Sequence, residues 1–453
     1  MKRLIIIMIG LLFAANCPAA THYVSLSGTN NYPYTNWPDA ATDITWAVSA
    51  AVGGEMVLVT NGVYYPTQRI YLATGMGITL QSVSGRDVTI INGQNNTNIC
   101  ADLGSASVFD GFTVTNCNNT KIYGLVSIGT VRNCLFVNNT VRGGTVGSFP
   151  VSITNCIFKN NNATTLSGAI YAGSGAGTFV TIAGCQFEGN NANGNYGGAC
   201  DIRDGNSIVS NCVFIKNSAK IYGGALFLDL HNTNSLIVNC VFTSNVVAGG
   251  VEALGGGIYS EMGITIRNCS FIGNIATNAG GGIFIGRYTT TNAIIRNCLI
   301  ARNGSVTNIG GGIWMTTGVV ENCTIVSNYA AVAGGGVYIN GSGSSGTNNI
   351  IYFNTAPNAA NFTNTAGNTG LSYCCVFPAV GGIGNITNDP RMLDLAGGNY
   401  HPRMNSPCVN AGTNQNWMTN AIDLDGIQRI RYGIVDMGAY EAVLRQGNIY
   451  RVH

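Results

Sequence analysis

The sequence predicts an all-β fold, a single-stranded right-handed parallel β-helix, closed by an N-terminal helix cap and a small C-terminal cap segment. Two recurring elements predict it. The first reads Asn155-Cys156-Ile157-Phe158, Asn211-Cys212-Val213-Phe214, Asn239-Cys240-Val241-Phe242, Asn268-Cys269-Ser270-Phe271, Asn297-Cys298-Leu299-Ile300 and Asn322-Cys323-Thr324-Ile325, each followed at fixed distance by Asn161, Asn217, Asn245, Asn274, Asn303 or Asn328. Cysteines from Cys212 to Cys298 lie 28, 29 and 29 residues apart. The second element reads Gly223-Gly224-Ala225-Leu226, Gly255-Gly256-Gly257-Ile258, Gly280-Gly281-Gly282-Ile283, Gly310-Gly311-Gly312-Ile313 and Gly334-Gly335-Gly336-Val337. A period of that length marks a stacked architecture, because one unit cannot bury its own apolar face.

Inside each unit, stretches such as Ile264-Thr265-Ile266-Arg267 alternate with the period of two expected of a half-buried strand. About three strands of four to six residues per unit, with turns ~4.8 Å apart, make a dozen turns a rod of roughly 55 to 60 Å. Equivalent residues then stack. The Asn after each Phe or Ile is expected both to take the left-handed turn and to pass amide hydrogen bonds between turns. The glycine runs suit positive φ or close backbone approach. In-register cysteines would keep Cβ atoms about 4.8 Å apart, too far for a disulfide, so a buried ladder of free thiols is expected. A straight stack does not converge on a metal. Cys374, Cys375 and Cys408 fall outside the ladder and are the expected disulfide partners.

The termini read differently. Lys2 and Arg3, the apolar run Leu4 to Ala15 and the small residues Ala19 and Ala20 have the order of a secretory signal peptide, residues 1–20. Asn16 before Cys17 disfavours lipidation. Removing Lys2 and Arg3 takes the formal charge from +2 to 0, and 9% charged residues give no electrostatic grip on nucleic acid. No later run is long and apolar enough for a membrane span. A secreted or cell-surface monomer is expected. Residues 21–65 read as cap and opening strands, with a helix over Asp39 to Val52 burying Ala41, Ile44, Ala47, Val48 and Ala51. Residues 66–377 carry the repeats and 378–453 the C-terminal cap.

The pairing of Phe214 to Asn217 with Gly223 to Leu226 resembles the repeats of the chlamydial polymorphic membrane proteins, over residues 110–355. That resemblance implies a surface-displayed β-helix used in adhesion; the outer-membrane barrel of that family has no counterpart after Glu441. Ala47 to Tyr64 resembles the start of pectate-lyase-like β-helix proteins, many of which bind or cleave acidic polysaccharides. Ser406-Pro407-Cys408-Val409-Asn410-Ala411-Gly412, Asp423-Leu424-Asp425-Gly426, Arg429 and Asp436-Met437-Gly438-Ala439-Tyr440-Glu441 are similar to the choice-of-anchor ending of exported bacterial β-helix proteins. Such an ending usually precedes an anchoring tail, and twelve residues remain here, Ala442 to His453.

Chemistry has three candidate places. Aligning the glycine elements turns Ile258, Ile283, Ile313 and Val337 inward and Phe227, Tyr259, Phe284, Trp314 and Tyr338 outward. That aromatic stripe suits sugar rings or packing beneath a loop. Beside it, Asp201, Arg203, Asp229 and Glu261, with His231, form the densest ionisable cluster of the repeat. Paired carboxylates suit glycoside hydrolysis, and a basic group beside a uronate suits a lyase; ordinary surface charge is the plainer account. Asp423, Asp425, Asp436 and Glu441 suit calcium or the capping of turns; no other cofactor is indicated. The sequence therefore favours an exported binding element contacting polysaccharide or cell-surface glycans. A polysaccharide lyase or glycoside hydrolase, and a purely structural surface protein, are the alternatives.

Overall fold

The computed structural model describes residues 19–442, apart from 73–74, 97–100, 104–105, 120–128, 148–150, 174–177, 204, 231–233, 287–291 and 368–369. Residues 1–18, which hold most of the expected signal peptide, the residues beyond 442 and His231 lie outside the described residues. The chain is a parallel β-solenoid. Each full turn has four faces, illustrated by Thr265–Arg267, Ser270–Ile272, Ile275–Ala276 and Ile283–Ile285. The first face stacks 14 strands from Thr21–Val24 to Leu371–Ser372, and the second 13 from Gly62–Tyr64 to Cys375–Val376. The third and fourth faces hold 9 strands each. Thirteen intervals on the first face, at ~4.8 Å each, make a rod of roughly 62 Å. Strands are shorter and faces more numerous than expected from sequence, because each turn bends at three tight corners as well as at the glycine run. Among the described residues no helix is long and apolar enough to cross a membrane.

The interior is a set of columns. Phe136, Phe158, Phe187, Phe214, Phe242 and Phe271 stack at centroid spacings of 4.6 to 5.1 Å with planes within 8°. At the corner between the second and third faces, buried Asn161, Asn190, Asn217, Asn245, Asn274, Asn303 and Asn328 form an amide ladder. Each Nδ2 donates to the next turn's Oδ1 at 2.8 to 3.0 Å and to a carbonyl of the preceding turn. These residues do not take the left-handed conformation. At that corner it falls to the residue just before each, such as Lys216, Ser244 and Arg302 at φ 53° to 56°, so the two roles expected of one Asn are divided between neighbours. A second set, Asn155, Asn211, Asn239, Asn268, Asn297, Asn322 and Asn348, takes φ 49° to 57° at the corner between the first and second faces. The second set forms its own ladder with the opposite sense: Asn239 donates back to Asn211, Asn268 to Asn239 and Asn297 to Asn268.

The cysteines Cys134, Cys156, Cys185, Cys212, Cys240, Cys269, Cys298 and Cys323 are buried and free, as expected. They are also more than small apolar groups. Each Sγ faces the carbonyl two residues back, as in Cys269 to Arg267 O at 3.2 Å, and Cys269 Sγ accepts the Cys240 N–H at 3.4 Å. Asn349 stands in this column and does the same work, its Oδ1 accepting the Cys323 N–H at 2.9 Å. Conversely Cys117 stands at the head of the Asn column, its N–H donating to Asn139 Oδ1 at 3.0 Å. Cys374 is not outside the ladder, as its spacing suggested, but ends it: its Sγ accepts the Asn349 N–H at 3.3 Å.

The glycine runs meet both expectations. Gly223, Gly255, Gly280, Gly310 and Gly334 have φ between 63° and 71°, while a Cβ on Gly281 would lie 2.4 Å from carbonyl oxygens of Gly304 and Gly311.

At the N-terminal end the helix is shorter than expected, Ile44–Ala50, because Asp43 caps it by accepting the Thr45 N–H at 2.8 Å. Its expected apolar face is buried against Thr21–Val24 and Ile70–Leu72. The C-terminal segment lies along the flank of the last turns rather than across their end. Met392, Tyr400, Cys408, Met437, Ala439 and Tyr440 pack on the outward side of Leu299, Val326, Ile350 and Cys375. The outer Asn ladder anchors it, with Asn297 Nδ2 donating to Ile422 O at 3.0 Å and Asn348 Nδ2 to Thr413 O at 2.9 Å.

Candidate functional site

The aromatic stripe forms in the predicted register. Phe227, Tyr259, Phe284, Trp314 and Tyr338 pair in order down the fourth face, with centroids 5.5, 5.2 and 4.1 Å apart along the first four. It is not exposed, however. Phe227, Tyr259, Phe284 and Trp314 are buried and Tyr338 half-buried. The cover is a column of single bridges before the glycine runs: Tyr196, Tyr222, Leu254, Ala279, Ile309 and Ala333. These residues and the stripe close a second, external apolar core. Among the described residues the stripe offers no open run of rings to a sugar.

The charged cluster sits at the head of that column. Asp201 pairs in register between Tyr171 and Phe227, so a carboxylate occupies an aromatic position. It has no exposed surface, and both oxygens are held by Arg203, Nε to Oδ1 at 2.9 Å and the second guanidinium nitrogen to Oδ2 at 2.8 Å. Burial pushes the Asp201 carboxyl up, against the opposing pull of Arg203. Arg203 in turn lies 4.8 Å from the Tyr196 ring, 5.5 Å from Phe227 and 5.7 Å from Tyr171. A carboxylate so enclosed cannot touch a substrate. Asp229 and Glu261 are half-buried and follow the fourth-face strands in register, Asp229 N–H donating to Ile202 O and Glu261 N–H to Leu228 O. Structure thus separates the four residues into an enclosed ion pair and two outward acids on successive turns.

The C-terminal acids are occupied by turns. Asp423 accepts the Asp425 and Ile427 N–H groups on one oxygen and the Glu441 N–H on the other; Asp436 accepts those of Asn410 and Ala442. Asp425 faces His401 at 2.7 Å. At their centre lies Arg429, fully buried, with Glu441 at 3.4 Å. Burial raises the Glu441 carboxyl to about 8. Among the described residues no group of three His, Cys, Asp or Glu side chains is placed to hold a metal ion, so the residues present do not favour calcium.

A site the sequence reading missed lies on the first face. An open groove of about 370 Å³ crosses three turns, floored by Leu236, Thr265 and Ile294 in register and edged by Asn234, Asn292 and Arg267. Arg267 and Arg296 are neighbours across two turns. Arg296 turns to Glu321 at 2.6 Å and to the Trp417 ring at 4.5 Å. Arg267 is exposed and has no ion-pair partner among the described residues. The available signal was the triplet Arg-Asn-Cys at Arg267 and Arg296, in a stretch, Met262 to Val320, with no acidic residue.

Fold and site together define the class: a parallel β-solenoid with a cationic groove on one face and a sealed aromatic column on another. No protein-family model matches the chain, and no curated protein matches it. Among solved structures it is similar to pectate lyase Pel9A, at 16% identity over 94% of this chain and 97% of that one, TM-score 0.42. It is also similar to the A-module of the Azotobacter vinelandii mannuronan C-5 epimerase AlgE6, at 15% identity over 77% and 96%, TM-score 0.35. A third is the family PL6 alginate lyase AlyGC, at 12% identity over 72% and 51%, TM-score 0.35. At such identities and scores the likeness bears on neither activity nor ligand.

Proposed function

We propose that the chain is an exported binding solenoid that holds an anionic polysaccharide across its first face without cleaving it. The observation that carries this reading is Arg267, a cation with no ion-pair partner among the described residues, in a groove whose other edges are the amides of Asn234 and Asn292. A carboxylate or sulfate of the polymer would supply the missing charge, and Asn234 and Asn292 would meet sugar hydroxyls. Among the described residues no carboxylate lines the groove, and an acid pair for hydrolysis is not found there.

The test is affinity electrophoresis and calorimetry with polygalacturonate, alginate and neutral dextran, with reducing-end and unsaturated-uronate assays on the same mixtures. The acidic polymers are expected to bind and dextran not. Arg267→Ala should weaken binding about 5-fold, the equivalent of ~1 kcal/mol for an exposed charge-assisted contact. Equal binding of dextran, or no change in the variant, sinks the proposal.

A second reading rests on Asp229 and Glu261. Turns ~4.8 Å apart bring two outward acids close to the ≈ 5–5.5 Å separation of retaining glycosidases. Reducing ends that appear with the wild-type chain and vanish with Asp229→Asn would favour this reading over capture.

A further inference from the structure

Neighbouring residues of a strand face opposite ways, and Cys374 and Cys375 use both directions. Cys374 points inward and closes the thiol column, its Sγ engaged with Asn349 N–H and Ser372 O, each at 3.3 Å. Cys375 follows Ile350 in register on the outside of the second face, where the C-terminal segment docks. Cys408 arrives at the same place from that segment. Both thiols are completely buried, and they share one apolar cluster with Ile350, Val326, Met437 and Ala439. In this structure both are thiols.

We propose that Cys375 and Cys408 join as a disulfide in the exported protein, stitching the C-terminal segment to the last turn of the solenoid. The inference rests on export, and not on the polysaccharide reading. The column cysteines do not compete. Those within the column face an equivalent neighbour on both sides, at a Cβ spacing of ~4.8 Å where a disulfide wants ≈ 3.5–4.5 Å, and Cys374 at its end meets Asn349 instead. Cys375, whose Sγ faces Asn388 O at 3.2 Å, and Cys408 are instead the two cysteines of one cluster, brought together from two segments that meet only in the folded chain.

Closure proceeds by thiol–disulfide exchange as the segment docks. The thiolate of one cysteine attacks a disulfide oxidant, breaking its S–S bond, forming a mixed disulfide and releasing one thiol. The second thiolate then attacks the protein sulfur of that mixed disulfide and expels the other oxidant sulfur as a thiol. Two cysteine thiols have lost two electrons and two protons, and one disulfide oxidant has become two thiols.

The experiment uses the full chain in two forms, secreted through a host's export route and refolded in a mixture of oxidised and reduced glutathione. Each is denatured in N-ethylmaleimide without reductant, digested and mapped by mass spectrometry. Expected is one linked pair of peptides carrying Cys375 and Cys408, lighter by two hydrogens than the separate thiol peptides, with every column cysteine alkylated. Cys374→Ser should keep the link, whereas Cys375→Ser and Cys408→Ser should each abolish it. A natively folded refolded chain in which both cysteines are alkylated overturns the proposal, as does a link from Cys408 to Cys374. A link that forms on refolding but not on secretion removes the premise of export into an oxidising compartment.

Discussion

Asn245→Ala should damage the solenoid far more than the loss of one polar side chain suggests. Asn245 has no exposed surface. Its Nδ2 donates to Phe214 O at 3.0 Å and to Asn274 Oδ1 at 2.9 Å, and its Oδ1 accepts both the N–H and the Nδ2 of Asn217 at 3.0 Å. Truncation orphans the Phe214 carbonyl, the Asn217 N–H and one Asn217 amide hydrogen in a place water does not reach. At ≈ 1–3 kcal/mol for each abandoned group, partly relieved by relaxation, the cost is ~4 kcal/mol. Asn239→Gly is the control. It removes an exposed amide from the outer ladder but keeps a residue at ease with φ 54°, so it should cost under ~1 kcal/mol. Urea unfolding followed by far-UV circular dichroism, with amide hydrogen exchange to locate the loss, measures both. Because stacked turns unfold less cooperatively than a globule, the exchange data decide: protection should collapse around Phe214 to Asn274. If the two variants unfold within ~1 kcal/mol of one another, the amide column does not hold the turns together, and the reasoning fails.

Two further outcomes follow from the buried charges. Arg203→Met leaves the Asp201 carboxylate unpaired beneath the aromatic column and should cost ~3–5 kcal/mol, while Asp201→Asn with Arg203→Met should recover much of it; equal losses would mean the pair does not matter. The second concerns pH. The Glu441 carboxyl is raised to about 8 from an ordinary 4.5, so the folded chain binds that proton more tightly than the unfolded one. Its contribution is fully present below pH ~4.5 and lost as pH climbs through about 8, while the Arg429 guanidinium stays charged throughout. Burial raises Asp436 in the same direction. The Tm of the full chain should therefore fall between pH 5 and pH 9, and Glu441→Gln should flatten part of that slope; an identical slope in the variant would exclude Glu441 as its source.

The columns were legible because stacking is visible in sequence as repetition of a chemical type. Asn, Cys and Phe recur at fixed positions, and each sits in one column of the molecule. What covers those columns was not legible for the same reason. Tyr196, Tyr222, Leu254, Ala279, Ile309 and Ala333 occupy equivalent positions but change from Tyr to Leu to Ala to Ile, so the layer that buries the aromatic stripe has no single signature. The enclosure of Asp201 by Arg203 was hidden too, since two residues one apart in a strand look like alternate surface charges until a guanidinium folds back over its neighbour. The C-terminal segment was read as a separate cap because its motifs differ from the repeats. Its apolar residues, Met392, Cys408 and Met437, find their partners only on the outer sides of Leu299, Val326 and Ile350, positions that look like ordinary strand residues in isolation.

The amide column has a consequence for how such a chain changes size. Every interior Asn asks the same thing of the turn after it and offers the same thing to the turn before, and only the last, Asn354, relies on a special partner, Asn361. A block of one period removed between Asn217 and Asn274 would bring identical donors and acceptors back into apposition at the seam. Reach is thus nearly independent of the two ends, and a lineage carrying this fold can lengthen or shorten its rod by whole turns while the helix at one extremity and the flanking segment at the other stay unaltered.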